Sequence, residues 1–236
     1  SAPLKHYDAI IRIDTRGLKF YQSLQNISAW WSSLKGYMPS PVPDAAKMPM
    51  YSTWYSFMKS ISASKIEKQC KLAKKMGMET VIVDDGWQTD NDVAGYAECG
   101  DWEVAISKFP DFNRCIDNVH RAGMKFMLWF SVPFIGHFSR KYRQFKDKML
   151  YTIKGKNVSV LDVRYREVRE YLILLYEKFM KEYGIDGFKL DFIDSVTVPD
   201  GESLKIGKGR DFDSLSLAVD CLMSDIISRL RAIKPD

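Results

Sequence analysis

The sequence predicts an α/β fold, in the form of a partial (β/α)8 TIM barrel with about four βα units. Three observations lead to this prediction. Four short apolar runs, centred near residues 53, 82, 128 and 189, have the length and composition of buried strands. Amphipathic stretches of helical periodicity separate these runs, and the loops that follow them are long, as they are in barrels. An eight-stranded barrel needs four more strands, so the 236 residues hold about half of one.

The first 48 residues differ from the rest of the chain. Ala9–Ile13 has the composition of a strand, and a proline-rich loop follows the Trp30–Trp31 pair. We therefore expect residues 1–48 to be the tail of an N-terminal β domain plus a linker. Residues 49–236 are then the N-terminal half of the barrel domain.

From residue 49 onward, predicted strands and helices alternate. The strands are predicted at Tyr51–Tyr55, Thr80–Val83, Lys125–Val132 and Gly187–Asp191, and the helices at Ser64–Gly77, Phe112–Ala122, Glu167–Tyr183 and Asp213–Ile233. The run Thr80–Val83 is β-branched throughout, which is typical of a parallel strand buried on both faces. Asp111 is the expected N-cap of the second helix, and Gly123 is expected to end that helix. Residues 134–164 read as an insertion that contains a hairpin around Lys154–Asn157.

The composition excludes several classes of function. The net charge of +5 arises from 35 basic and 30 acidic residues, a balance too even to indicate nucleic-acid binding. Four cysteines without paired spacing and three histidines predict neither a zinc site nor a disulfide framework. No stretch is apolar enough to cross a membrane, and residue 1 does not begin a signal peptide, so a cytoplasmic location is only the default.

Barrel enzymes build their sites at the carboxyl ends of the strands. The predicted strands present side chains suited to a sugar at these ends: Trp54, Asp84, Asp85, Trp87, Trp129, Lys189 and Asp191. Aromatic rings pack against the C–H face of a pyranose, carboxylates accept hydrogen bonds from hydroxyls, and lysine donates them. A carboxylate two residues after a lysine is also a candidate covalent nucleophile.

From about residue 50 onward, the chain resembles the α-galactosidase (melibiase) type of glycoside hydrolase, family 36 and its clan relatives. The motifs that carry the resemblance are Tyr51–Phe57, Asp84–Gln88, Gly100–Trp102, Phe109–Pro110, Gly123–Phe130, Leu161–Asp162 and Tyr183–Asp191. Their order and spacing hold over roughly four-fifths of the chain.

The resemblance implies retaining hydrolysis of terminal α-galactosides through a covalent glycosyl-enzyme on Asp191, with no cofactor and no metal. Lys189, Asp84 and Asp85 would hold the sugar hydroxyls. The pocket walls would be Trp54, Trp87 or Trp102, and Trp129. A retaining enzyme also needs an acid/base carboxyl group about 5–5.5 Å from the nucleophile. In the family this group lies on a later strand, so we expect it beyond residue 236 and expect this chain alone to be inactive.

Two positions depart from the family pattern. Many members have Trp where this chain has Leu190, and Asn where it has Ile193. Three alternatives therefore stay open: galactosyl transfer, an α-glucosidase or α-xylosidase activity of the same clan, and a carbohydrate-binding homologue without catalysis.

Structural roles compete with binding roles at several positions. One residue of the pair Asp84–Asp85 is expected to be structural, since adjacent strand residues point to opposite faces. Trp54 and Trp129 suit interior packing as well as a pocket wall. Asp101, Asp162 and Arg164 are weaker loop candidates, and Asp186 is expected to be a turn residue at the amino end of its strand. The expected partners are a glycoside or oligosaccharide, the remainder of the barrel, and a second copy, because half a barrel exposes a strand edge and an apolar interior.

Overall fold

The structure is a computed structural model that describes residues 6, 8–93, 95–199, 204 and 208–235. The chain divides into two compact units, Ser1–Val42 and Pro43–Asp236. The division falls at Val42, earlier than the predicted boundary after residue 48. The assignment of residues 1–48 to a tail of another domain plus a linker remains a prediction.

The first unit contains the helix α1 (Phe20–Ser33), which has no buried residue. The Trp30–Trp31 pair belongs to the last turns of this helix, which the sequence pattern did not predict. The strand predicted at Ala9–Ile13 is wrong, because these residues have no regular structure and their isoleucines are exposed. A strand needs a hydrogen-bonded neighbour, and the described residues of this unit supply none.

The second unit is built on a parallel sheet of four strands. In chain order the first strands are β1 (Met50–Ser52), β2 (Thr80–Val83) and β3 (Lys125–Ser131), and the last is β7 (Gly187–Asp191). The strand order is β1-β2-β3-β7, and every neighbouring pair is parallel. The predicted α/β class with a parallel sheet is therefore confirmed. The first strand is shorter than predicted, because Trp54 begins the short helix α2 (Trp54–Phe57).

The connections between the parallel strands are helical where the sequence predicted them. They are α3 (Ala63–Lys75), α4 (Phe112–Arg121) and α6 (Arg166–Tyr183), and α7 (Leu215–Ile233) follows the last strand. Asp111 caps α4 as predicted, because its carboxylate accepts a hydrogen bond from the Arg114 backbone N–H at 2.9 Å. Among the described residues, no helix is long and apolar enough to cross a membrane.

The insertion after β3 forms a second, antiparallel sheet. It consists of β4 (Phe134–Gly136), the helix α5 (Arg140–Phe145), β5 (Met149–Thr152) and β6 (Val158–Leu161). The order β4-β6-β5 places the predicted hairpin between β5 and β6. The sequence did not predict β4, which pairs with β6 and brings the residues after β3 next to the hairpin.

The two faces of the parallel sheet differ in character. Alternation of side chains puts Phe126, Leu128 and Phe130 on the face that the helices cover, and all three are fully buried. Phe130, for example, packs against Tyr176 and Phe179 of α6. The opposite face carries the polar residues. The register pairs Trp129 with Lys189 and Ser131 with Asp191, so these four side chains share that face near its carboxyl end.

Candidate functional site

Lys189 and Asp191 lie on the same face of β7, because they are two residues apart in a strand. The Lys189 Nζ lies 3.4 Å from the Asp191 Oδ2, and about one third of each side chain is exposed (37% and 34%). The sequence-predicted pair is thus brought together at the carboxyl end of the sheet. It is open to a ligand.

Asp84 directly follows β2, and its side chain contacts Lys189 of this pair. Its Oδ2 accepts a hydrogen bond from the Lys189 Nζ at 2.8 Å, and its Oδ1 accepts one from the Asp85 backbone N–H at 2.9 Å. The Asp84 side chain is almost completely buried, with 3% exposed. Burial alone would lower the pKa of Lys189, but the hydrogen bond from Lys189 to Asp84 and the charges of Asp84 and Asp191 outweigh it and raise that pKa. Lys189 therefore stays protonated.

Asp85 is held by a different set of contacts from its neighbour. Its Oδ1 accepts a hydrogen bond from the Gln88 side-chain amide at 2.7 Å, and the residue is buried. Burial raises the pKa of Asp85, and the Gln88 hydrogen bond and the nearby charge of Lys59 oppose that rise without cancelling it. Asp84 is hydrogen-bonded to Lys189, whereas Asp85 is hydrogen-bonded to Gln88 in the loop after β2. Direct contact of either carboxylate with a sugar stays a prediction.

Two N–H groups orient the Asp191 carboxylate. The Trp129 Nε1–H donates to Oδ2 at 2.9 Å, and the Phe192 backbone N–H donates to Oδ1 at 3.0 Å. Phe192 has a left-handed backbone with φ of 61°, which is uncommon for a residue with a side chain. Residues with such uncommon backbone angles occur often at functional sites. Nothing in the sequence pattern predicted this conformation.

Two of the tryptophans predicted as pocket walls are buried in the structure. Trp87 is fully buried, and its Nε1–H donates to the Trp129 carbonyl oxygen at 2.8 Å. Trp102 stacks on Trp87 at a centroid distance of 5.9 Å and is also buried. Neither side chain has an exposed face, so contact of Trp87 or Trp102 with a sugar stays a prediction. Both rings support the strand that carries Trp129.

Trp129 and Trp54 differ in burial. Trp129 is buried and donates its indole N–H to Asp191, and its role as a pocket wall stays a prediction. Trp54 is half-buried at the start of α2, after the end of β1. Contact between Trp54 and a substrate remains a prediction.

The side chains at the two departures from the family pattern pack on the core. Leu190 falls between Lys189 and Asp191 on β7, so its side chain points to the helix-covered face and packs on the core. Ile193 lies in a short 3₁₀ helix, Ile193–Ser195, and also packs on the core.

The weaker candidates have structural contacts. Asp101 accepts the backbone N–H groups of Arg140 and Lys141, at the start of α5. Asp162 is fully buried between the guanidinium groups of Arg164 and Arg210, at 2.9 and 2.8 Å. Burial alone would raise the pKa of Asp162, but the hydrogen bonds from both arginines outweigh it and lower that pKa.

Tyr96 lies near Lys189 and Asp191, and the sequence pattern did not predict its position there. It lies in the long loop after β2 and stacks on Trp129 at a centroid distance of 6.2 Å. The position of the loop at the carboxyl end of a strand was the available signal, but no periodicity identifies which loop residue folds inward. Among the described residues, no group of three or more His, Cys, Asp or Glu side chains is arranged to hold a metal ion.

Comparison with known proteins identifies the relatives of this chain. Its most similar relatives include α-galactosidase Mel36A of Lactobacillus acidophilus, 28% identical over 184 residues, a match that covers 75% of this chain and 25% of the relative. Another is α-galactosidase 2 of Pediococcus pentosaceus, 26% identical, with 82% of this chain and 27% of the relative covered. The chain thus spans about a quarter of the length of the curated relatives it matches.

Solved structures give the same picture of the fold. An α-galactosidase from Lactobacillus brevis matches with a TM-score of 0.65 and 25% identity, over 80% of this chain and 26% of that one. A variant of α-galactosidase AgaA from Geobacillus stearothermophilus, solved in complex with raffinose, matches with a TM-score of 0.64 and 23% identity, over 77% of this chain and 26% of that one. The sequence profile of the Melibiase family matches residues 31–235. This chain therefore belongs to the Melibiase family.

Proposed function

We propose that the full-length product of the gene encoding this chain is a retaining glycoside hydrolase that acts on terminal α-galactosides, with Asp191 as the nucleophile. The observation that carries the proposal is the setting of Asp191. Its carboxylate is partly exposed, is oriented by two N–H donors, and lies 3.4 Å from the Lys189 Nζ. The named α-galactosidases among its relatives support the choice of sugar.

The proposed chemistry follows from the lone pairs of Asp191. The Asp191 Oδ1 accepts one hydrogen bond, from the Phe192 backbone N–H, and retains a further lone pair, whereas Oδ2 accepts one from Trp129 and also faces the Lys189 ammonium group. In the first step, such a lone pair attacks the anomeric carbon while the acid/base group protonates the leaving oxygen and the bond from that carbon to this oxygen breaks, which gives a glycosyl ester of Asp191. In the second step, the acid/base group accepts a proton from water as the water oxygen attacks the same carbon, and the Asp191 carboxylate is released.

Lys189 has a binding role in this proposal. Its ammonium group has three N–H donors, of which one is used by Asp84 at 2.8 Å and a second faces Asp191. The third is available for a sugar hydroxyl. Asp84 therefore fixes the position of Lys189, and Lys189 contacts the ligand.

The acid/base carboxyl group is inferred to come from another part of the full-length protein. Asp84 is bonded to Lys189 and to the Asp85 backbone, and Asp85 is bonded to Gln88. Both are almost completely buried, so neither can protonate a leaving group in this conformation. This keeps the expectation that the chain alone does not turn over natural glycosides.

The test is mass spectrometry of the full-length gene product after exposure to an activated fluoro-α-galactosyl fluoride. Fluoride leaves without acid assistance, so the nucleophile is tested separately from the acid/base group. We expect one fluorogalactosyl mass on the peptide that contains Asp191 and none in D191N. The matched control is D186N, which changes the other carboxylate flanking β7 and is expected to be labelled like the wild type.

Other outcomes select the alternatives. Labelling by the glucosyl analogue instead of the galactosyl one would favour the α-glucosidase type. Labelling followed by turnover only with an added sugar acceptor would favour galactosyl transfer. A wild-type protein that neither analogue labels would favour a binding protein without catalysis.

A further inference from the structure

Tyr96 packs against both groups that hold the Asp191 carboxylate. Its ring stacks on Trp129, with 27° between the ring planes, and meets Phe192 edge-on at a centroid distance of 5.1 Å. Trp129 donates its indole N–H to Asp191, and Phe192 donates its backbone N–H. Tyr96 is half-buried, whereas the rings of Trp87, Trp102 and Trp129 are buried. It therefore presents aromatic surface beside Asp191 that the three tryptophans do not.

The backbone on both sides of Tyr96 is fixed by the protein. The Gly95 carbonyl oxygen accepts a hydrogen bond from the buried Lys59 ammonium group at 3.0 Å. The Ala97 carbonyl oxygen accepts one from the Phe138 backbone N–H at 2.9 Å. A Cβ at Gly136 would lie 2.0 Å from the same Ala97 oxygen, so this close approach requires glycine. The ring is thus held in place before any ligand arrives, which reduces the entropic cost of binding.

The phenol hydroxyl of Tyr96 is an unused donor. Within the described part of the chain, no group is hydrogen-bonded to it, although the ring makes three aromatic contacts. Burial raises the pKa of Tyr96 to about 12, and the charges of Asp85, Cys99, Asp191 and Asp84 add to this rise. At neutral pH the hydroxyl is therefore protonated, and Asp84, Asp85 and Asp191 are close enough for their charges to act on it.

We propose that Tyr96 is a substrate-contacting residue of the sugar pocket next to Asp191. The exposed part of its ring packs against the C–H face of the sugar, and its hydroxyl donates a hydrogen bond to one ring hydroxyl of that sugar. The inference rests on the proposed function, since it requires a glycoside bound at Asp191. It adds to the predicted site a tyrosine that lies outside the motifs that carry the family resemblance.

The test compares Y96F with the wild type on an aryl α-galactoside and on its 2-, 3-, 4- and 6-deoxy analogues, using the full-length gene product. Y96F keeps the ring and removes only the hydroxyl. We expect a 3- to 10-fold loss of kcat/KM on the parent substrate, roughly the effect of one neutral hydrogen bond. For the one analogue that lacks the contacted hydroxyl, wild type and Y96F are expected to be equal. A purely structural role would lower kcat/KM equally for every substrate.

Two further variants make the result decisive. Y96A removes the ring as well and is expected to raise KM more than Y96F does. Y142F is the control, because Tyr142 is another half-buried tyrosine and packs on His137. Equal losses of Y96F on all five substrates, or no loss on any, would overturn the inference. If D191N is inactive in the same assay while Y96F behaves in either of these ways, only the role of Tyr96 fails. If D191N keeps its activity, the proposed function fails.

Discussion

Strand β7 is flanked by a carboxylate at each end, and the protein holds the two in opposite ways. Asp186, before the amino end, is 9% exposed and is hydrogen-bonded to His120, to the Phe126 backbone N–H and to Lys234, at 2.7 to 2.8 Å. Asp191, at the carboxyl end, is 34% exposed and accepts two N–H groups. Asp186 joins α4, β3 and the end of α7, whereas Asp191 keeps accessible lone pairs.

The difference explains why the same residue type serves two purposes on one strand. A buried carboxylate whose oxygens are all bonded stabilises the fold, because its hydrogen bonds join separate elements. A partly exposed carboxylate, oriented by two donors, keeps its geometry and can still react.

The largest effect is expected for D191N. The amide has the shape of the carboxylate but not its nucleophilic oxygen, so we expect kcat to fall by about 10⁴-fold or more. The free energy of unfolding is expected to change little, because Asp191 joins few elements. Hydrolysis of an aryl α-galactoside and urea unfolding, both on the full-length gene product, measure the two quantities. Substantial activity in D191N would contradict the assignment.

A smaller effect is expected for K189M. Methionine keeps the length of the side chain but removes the charge that neutralises buried Asp84, so both ligand binding and the position of Asp84 suffer. We expect kcat/KM to fall by about 10²-fold, in line with the loss of a charged hydrogen bond.

K125M is the matched control for K189M. Lys125 begins β3 at the amino end of the sheet, where its Nζ lies 3.9 Å from Asp186. The contrast between the two ends predicts that K125M keeps the wild-type kcat/KM. Similar losses of kcat/KM in both variants would show that removing any lysine charge from the sheet lowers kcat/KM, whatever the position of the lysine.

The smallest effect on activity is expected for D186N, together with a loss of stability. Removing the charge weakens the contacts with His120, Lys125 and Lys234, so the free energy of unfolding should fall by about 1–3 kcal/mol at neutral pH. The kcat per folded molecule should remain that of the wild type. A large loss of kcat at unchanged stability would reverse the roles assigned to the two carboxylates.

The pH dependence of stability gives a second readout of Asp186. Burial alone would raise the pKa of Asp186, but the hydrogen bonds from Lys234, the Phe126 backbone and His120 outweigh it and lower that pKa. A lowered pKa in the folded state stabilises the protein above the unfolded-state pKa, and this stabilisation is lost as the pH falls through the folded value. The wild type should therefore lose more stability than D186N below about pH 4, as urea unfolding at a series of pH values would show.

Several features were predictable because they depend on short stretches of sequence. The β-branched run Thr80–Val83 formed a buried strand, and Asp111 capped the helix that follows it. The spacing of Lys189 and Asp191 placed both on one face of β7, because alternation in a strand is a local property. The prediction that Asp186 lies at the amino end of this strand agrees with its position immediately before Gly187.

Other features depend on partners that are distant in sequence. Trp87 looked like a pocket wall beside Asp85, but packing against Phe130 and Phe179 buries its ring. Ala9–Ile13 has the composition of a strand but lacks a described neighbour with which to pair. Tyr96 comes next to Trp129 only because Lys59 and Phe138 hold the backbone around it.

The sequence by itself determined the alternation of strands and helices, the pair Lys189 and Asp191, and the resemblance to the Melibiase family. These follow from local periodicity and from motifs whose spacing is fixed along the chain. Only the tertiary structure decided which aromatic rings are buried, which oxygen of Asp191 each donor reaches, and that Asp84 holds Lys189. These depend on the register between β2, β3 and β7 and on the packing of loops over the sheet, and neither is encoded within any single segment.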